Sequence, residues 1–504
     1  MAVKIILLIL FFGVMMGIGV YARKHATDVN GFVLGGRSVG PWLTAFAYGT
    51  SYFSAVVFVG YAGQFGYKYG LASTWIGIGN AVLGSLVAWV VLGRRTRIMS
   101  KHLGSMTMPD FFGKRYDSQS LRIAASVIAF IFLIPYTASV YNGLSYLFGM
   151  AFDVDFRICV VVMAVLTGVY VIIGGYMATA WNDLIQGIIM LFGIVAVIAA
   201  VLSGHGGFMA AVKELAQVPS SVMPGAYASF LGPDPANLFG VVILTSLGTW
   251  GLPQMIQKFY AIKDEKAVHT GTIISTLFAI VVSGGCYFLG GFSRISGVKE
   301  AVDGTVKYDT IIPTMLSSLP DILIGIVIVL VLSASMSTLS SLVLTSSSTL
   351  TLDFIKPLFV KKMNEKQQLV WMRVLLAGFI LISVVIALDP PAFIAQLMGI
   401  SWGALAGAFL APFLYGLYWK GVTRAAVWAS FICGVGITVA NMFVRFIASP
   451  INAGAFAMVA GLVIVPVVSL ISPKLKKETV EDVFHCLEEK VMVEQKLALP
   501  EEEE

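Results

Sequence analysis

Charge is what this chain has least of. Only 12% of its 504 residues are Asp, Glu, Lys or Arg, against about 25% in a soluble domain. That excludes an ordinary water-soluble fold, and a hydrophobic content of 58% agrees. Cysteine is sparse too. The four cysteines, at 159, 286, 433 and 486, form no CxxC pair, which excludes a disulfide framework and a thiolate metal site. The five histidines lie in polar segments, and no two of them stand at ligand spacing. HExxH and GxxxxGK[ST] are absent, so neither a zinc hydrolase nor a nucleotide-hydrolysing pump is indicated. The expectation is a protein that is not an enzyme and binds no nucleic acid.

What fills the chain instead is apolar sequence. Thirteen runs stand out, near 3–22, 42–65, 72–93, 121–149, 156–176, 182–203, 237–256, 271–293, 322–346, 370–388, 393–419, 426–446 and 453–472. We number them spans 1–13. A run of about 20 residues crosses a hydrocarbon core of about 30 Å as a helix. The runs are continuous rather than alternating, which excludes a β-barrel. The fold class expected is therefore an all-α polytopic membrane protein with a transmembrane domain over 1–472 and a polar tail over 473–504. Span 1 lacks a small-residue cleavage site and is read as retained. With the N-terminus outside, most of the 33 lysines and arginines fall in inside loops, and the segment 94–116 contributes more of them than any other. That places the C-terminus in the cytoplasm of a plasma-membrane protein. The tail, which ends PEEEE, is read as an acidic, mobile end with no specific role, although it could form a short amphipathic helix. No obligatory protein partner is evident.

Two spans are interrupted alike. Span 2 carries Gly49, Thr50, Ser51 and Ser54 near its middle, and span 7 carries Gly248, Gly251 and Pro253. Glycine weakens a helix and proline removes a donor. Each break could open a five-span unit, spans 2–6 (about 42–203) and 7–11 (about 237–419). An odd number of spans per unit gives the two opposite topology. Paired broken helices in inverted repeats mark midplane binding sites in secondary transporters. Span 9 adds a hydroxyl stripe of Ser333, Ser337, Ser340, Ser341, Thr345 and Ser348 on one helical face, with Thr338 at its edge. Neutral oxygens at this density suit a small hard cation, although they could equally pack helices together. Asp183 opens span 6 with no basic residue beside it. A membrane-embedded acid is a candidate ligand, and Asn182 or Asp183 could instead cap the helix.

The motifs FVLGGRSVGPWLTAFAYGTSYFSA (32–55), GGYMATAWNDLIQG (174–187), GLPQMIQKFYAIKDEKAVHTG (251–271), MSTLSSLVLTSSSTLTLDF (336–354) and APFLYGLYW (411–419) resemble the sodium:solute symporter family, its bacterial proline- and pantothenate-transporting members above all. The resemblance implies thirteen transmembrane helices with a LeuT-like core of two inverted five-helix repeats. It also implies sodium as the coupling ion. Carried over, the main sodium site comprises the carbonyls of Thr50, Phe53 and Ala334 and the side chains of Ser337 and Thr338. A second sodium would use Asp183, Ser340 and Ser341 together with Ser337. Solute would bind near Tyr52, Ser54, Tyr136, Thr245, Thr249, Trp250 and Gln254. Proline-transporting members carry an Asp where Tyr52 stands, an aromatic pair at Thr245 and Thr249, and His and Arg at Gln254 and Lys258. The function implied is sodium-coupled import of a small organic solute bearing a carboxylate, such as an amino acid, pantothenate or a monocarboxylate. The alternatives are a neutral solute such as a sugar, or a transporter-like sensor or channel.

Overall fold

A computed structural model describes residues 2–152, 154–297, 306–390 and 393–498. Among them the regular secondary structure is helical, and one isolated parallel bridge joins Val39 to Ile262. Ten helices are long and apolar enough to cross a membrane. An eleventh span is made by the pair Pro235–Gly251 and Pro253–Ala261, which is bent by 47°. The helix run Val56–His102 has 47 residues, and the helix Phe156–Gly204 has 49. At 1.5 Å per residue each would reach about 70 Å, more than twice a bilayer core. Both break at glycines with left-handed φ. Gly70 (φ 62°) ends span 2, and Gly175 (φ 56°, ψ −152°) divides span 5 from span 6. At Gly175 a Cβ would also come within 2.8 Å of the Phe32 ring, so both conformation and space call for glycine.

Span 9 is the helix Asp321–Thr349, and every residue from Leu330 to Thr349 is buried. Its hydroxyl stripe therefore faces protein, not lipid. A helix buried all round belongs in the middle of a bundle, and span 9 packs against spans 1, 2, 4, 6 and 10. The facing helices approach closely through small residues. A Cβ on Gly66 of span 2 would lie 2.0 Å from the Gly290 carbonyl oxygen of span 8. Spans 11, 12 and 13 pack on one another beside this core.

One end of the molecule gathers arginines onto free carbonyls. Arg37 donates to Ser105 O and, at 3.3 Å, to Tyr260 O. Arg97 donates to Ile262 O and Lys263 O, and Arg115 to Gly416 O and Trp419 O. Helix C-termini leave such acceptors unpaired. The tail forms the helix Lys477–Ala498, which returns to this basic end. Arg115 and Lys420 sit 5.0 and 5.6 Å from the Phe484 ring centroid, and His102 bonds Asp482 O at 2.9 Å. The helix that the sequence offered as the second choice is therefore present, and at Asp482 and Phe484 it is docked, where a mobile end was expected. The PEEEE end lies outside the described residues.

At the opposite end, Asp309 precedes the short helix Ile311–Leu316. Its Oδ2 accepts from Ile394 N–H, the first residue of span 11, at 3.2 Å. Burial raises its carboxyl to about 6, only partly offset by that bond. For an acid with a raised folded value, the penalty on the folded state builds as pH rises past the ordinary carboxyl value, where the unfolded chain ionises, and is complete once pH exceeds the raised one. Stability should therefore fall between about pH 4 and pH 6, by on the order of 2–3 kcal/mol. Asp309→Asn is expected to flatten that part of the pH dependence, as measured by thermal unfolding in detergent. An unchanged slope would mean that Asp309 is solvated.

Candidate functional site

Span 2 starts as the helix Pro41–Tyr52 and leaves helical geometry at Phe53 (φ −108°, ψ 88°). It resumes at Ala55 through a widened turn over Val56–Tyr61. Span 7 runs Pro235–Leu247, tightens over Gly248–Gly251, and extends at Leu252 (φ −90°, ψ 121°). Pro253 then opens a second half-helix, Pro253–Ala261. A residue before proline is driven out of helical conformation, and proline is well tolerated at a helix start. The interruption of span 7 falls where its glycines and proline placed it, whereas span 2 stays helical through Gly49 and breaks at Phe53, beside Ser54.

The break of span 2 meets the hydroxyl stripe of span 9. Thr338 Oγ1 lies 3.2 Å from Thr50 O, 3.4 Å from Ser51 O and 3.1 Å from Ala334 O. Ser337 Oγ donates to Thr50 Oγ1 at 2.6 Å. Thr50, Ala334, Ser337 and Thr338 are thus brought together, all buried. Phe53 sits at the break itself, and among the described residues no hydrogen bond joins it to span 9. The donor set is neutral oxygen, which suits a hard monovalent cation and offers no titratable group for a proton.

Beside this cluster lies a residue that the sequence reading named only as the position where proline-transporting members carry Arg, without its partner. Lys258, in the second half of span 7, is buried at 2% exposure. Its Nζ donates to Ser341 Oγ at 2.9 Å and stands 3.8 Å from Asp183 Oδ2. Ser341 Oγ also bonds Ser51 Oγ at 2.8 Å. Asp183 is fully buried inside the helix Phe156–Gly204, and neither carboxylate oxygen has a hydrogen-bond partner. It does not cap a helix, because the break comes eight residues earlier, at Gly175. Nor is it unbalanced: its counter-charge comes from another span. Ser340 turns back to its own helix, donating to Ser337 O at 2.8 Å.

The solute candidates divide. Tyr52 Oη donates to Thr245 O at 2.5 Å, and its ring stacks on Phe53 and leans on Trp402. Trp402, on span 11, also meets Tyr136 edge to face at 5.8 Å and closes on Gly248. It was missed because a single tryptophan in an apolar run reads as packing. Tyr136 Oη, Trp402 Nε1 and the Gln254 amide are buried without hydrogen-bond partners, and unpaired buried polar groups of this kind are costly unless something else binds them. Trp250 and Thr249 face span 3, through Leu83 O and Gly84 O, and Thr245 Oγ1 bonds back to Val241 O. Ser54 Oγ accepts from Val56 N–H at 3.2 Å and holds the restart of span 2.

A family model described as the sodium:solute symporter family matches residues 32–434. The chain belongs to that family. Relatives include the osmoregulated proline transporter of Bacillus subtilis, 28% identical over 95% of this chain and 96% of its own length. The sodium/proline symporter of Staphylococcus aureus is 28% identical over 94% and 93%. A Na+-coupled sialic acid symporter in a substrate-bound outward-open state has a similar fold, with TM-score 0.76 at 16% identity, covering 94% of this chain and 99% of that one. A nucleobase-cation-symport-1 family transporter in a closed conformation also resembles it, at TM-score 0.55 and 13% identity over 90% and 97%. The symporter therefore has the LeuT-like fold. It is a multi-pass membrane transporter of a small solute, with sodium as the coupling ion, and not an enzyme. One spelling within it imitates an enzyme motif. Gly399-Ile-Ser-Trp-Gly403 matches GxSxG, but it lies in the continuous helix Ile394–Tyr418, where Ser401 donates to Phe132 O. The strand–turn–helix context of a nucleophile elbow is absent.

Proposed function

We propose that the symporter binds its sodium between the break of span 2 and the hydroxyls of span 9, on Thr50, Phe53, Ala334, Ser337 and Thr338. The observation that carries this reading is Thr338 Oγ1, which touches the Thr50 and Ala334 carbonyls at once. A cation there would pull the two helices together and favour one arrangement of the repeats. Solute would bind beside it, among Tyr52, Tyr136, Trp402 and Gln254. Ser54, Thr245, Thr249 and Trp250 would shape that space from behind.

The solute we favour carries a carboxylate. Gln254 lies in the first turn of Pro253–Ala261, its amide unpaired, and the N-terminal end of a helix attracts anions. The curated relatives named above transport proline. The Asp, aromatic pair and His that the family resemblance implies for proline transport are Tyr52, Thr245, Thr249 and Gln254 here, so proline itself is one candidate among several. We also propose thirteen crossings, reached by dividing the long run at Gly70 and counting the short apolar helix Phe156–Val169. The N-terminus then lies outside, the basic end in the cytoplasm, and solute moves inward.

Uptake into proteoliposomes should collapse when external sodium is replaced by potassium. Thermal shift of the purified protein against proline, other amino acids, pantothenate, monocarboxylates and sugars should find a carboxylate that stabilises, and more strongly with sodium. Stabilisation by a neutral sugar alone would overturn the carboxylate reading.

A further inference from the structure

We propose that Lys258 is a tethered cation occupying the space of a second sodium beside Asp183, so that the protein binds one sodium rather than two. The inference rests on the reading of the main sodium site above and extends it to the neighbouring pocket. Asp183, Ser341 and Ser51 would be a fair ligand set for a small cation: one carboxylate with both oxygens unpaired and two hydroxyls in contact with each other. Into this set projects the Lys258 ammonium, 2.9 Å from Ser341 Oγ and 3.8 Å from Asp183 Oδ2. It also lies 5.2 Å from the Tyr176 ring centroid. An ammonium and a sodium ion carry the same charge and compete for the same oxygens. A lysine this deeply buried is rare unless paired. With the pair already neutral, a second sodium would be a like charge in a dry site.

The tether changes what the pocket can do. A free ion leaves after each cycle, whereas Lys258 stays on the second half of span 7. Through Ser341 Oγ it is linked to Ser51 Oγ, the side chain next to Thr50. It therefore supplies the electrostatic link between spans 2, 6, 7 and 9 without drawing on a gradient. Removing the lysine should open the pocket to sodium.

The test counts sodium by equilibrium binding of radioactive 22Na+ to the purified full chain, which needs no knowledge of the solute. Wild type is expected to bind one ion per chain, Lys258→Ser two, and Lys258→Ser with Asp183→Asn one again. Asp183→Asn alone should leave the count at one. Two ions in wild type, or a folded Lys258→Ser that stays at one, overturns the proposal. If Lys258→Ser fails to fold, the wild-type and Asp183→Asn counts still decide, because loss of an ion in Asp183→Asn would place sodium on the acid. Ser337→Ala with Thr338→Ala separates the two readings. If it leaves the wild-type count intact, the main-site assignment fails, while the gain from Lys258→Ser remains to be scored by itself.

Discussion

Replacing Ser337 and Thr338 together by alanine is expected to raise the sodium concentration for half-maximal uptake by about ten- to a hundredfold. Two of the five proposed ligand oxygens are then lost. A buried polar interaction of this kind is worth roughly 0.5–1.5 kcal/mol, and about 1.4 kcal/mol is a factor of ten. Thr338 contributes most, because its Oγ1 lies against both the Thr50 and Ala334 carbonyls. The effect on solute should follow by linkage. Affinity for solute falls at low sodium and recovers at saturating sodium, because coupling is reciprocal. Ser337 also bonds Thr50 Oγ1, so part of the change could be structural, and a melting temperature taken without sodium separates the two. Ser335→Ala is the matched control. Its hydroxyl bonds back to Val331 O at 2.6 Å and faces away from the site. An unchanged sodium dependence in the double variant would move the ion elsewhere.

The breaks in spans 2 and 7 were legible because their causes are local. Proline and glycine act on their own backbone, so Gly248, Gly251 and Pro253 announce an interruption whatever surrounds them. The stripe on span 9 was legible because helical period is a local property too. The pairing of Lys258 with Asp183 was not, for the complementary reason. Beside Gln257 and Phe259 the lysine reads as one of the positive charges of a loop, and nothing near it in the sequence names Asp183 as its partner. The same blindness made Asp183 look unbalanced and suggested a helix cap. The kink that divides its helix is at Gly175, and only the positive φ there reveals that Asp183 lies well inside. Trp402 belongs with Lys258. Its role comes from Tyr52, Tyr136 and Gly248, which reach it from three other spans. The docking of the tail is similar, since Phe484 becomes an anchor only because Arg115 and Lys420 cover it.

Arg122→Ala should be the most destabilising single replacement at the basic end, costing about 3–5 kcal/mol, the usual range when one partner of a buried ion pair is removed. Asp353 is fully buried in the widened turn Leu350–Ile355 that ends span 9. Its Oδ1 lies 2.8 Å from Arg122 Nε, and its Oδ2 accepts from Thr107 Oγ1. Arg122 also donates to Leu352 O at 3.1 Å and pairs with Asp110 at 3.2 Å. One guanidinium thus holds two carboxylates. Asp110 keeps Lys114 at 3.0 Å when the arginine goes, but Asp353 keeps only a neutral hydroxyl. The cost should therefore sit on Asp353, and Arg122→Ala combined with Asp353→Asn should recover most of it. Thermal unfolding in detergent measures both variants, with non-additivity as the diagnostic. If the losses simply add, the arginine matters for its packing and its bond to Leu352, and Asp353 is being hydrated. If the double variant recovers, the charge on span 9 is held by span 4, and the basic end of the helix proposed to bind sodium is fixed while its middle remains free to respond to the ion.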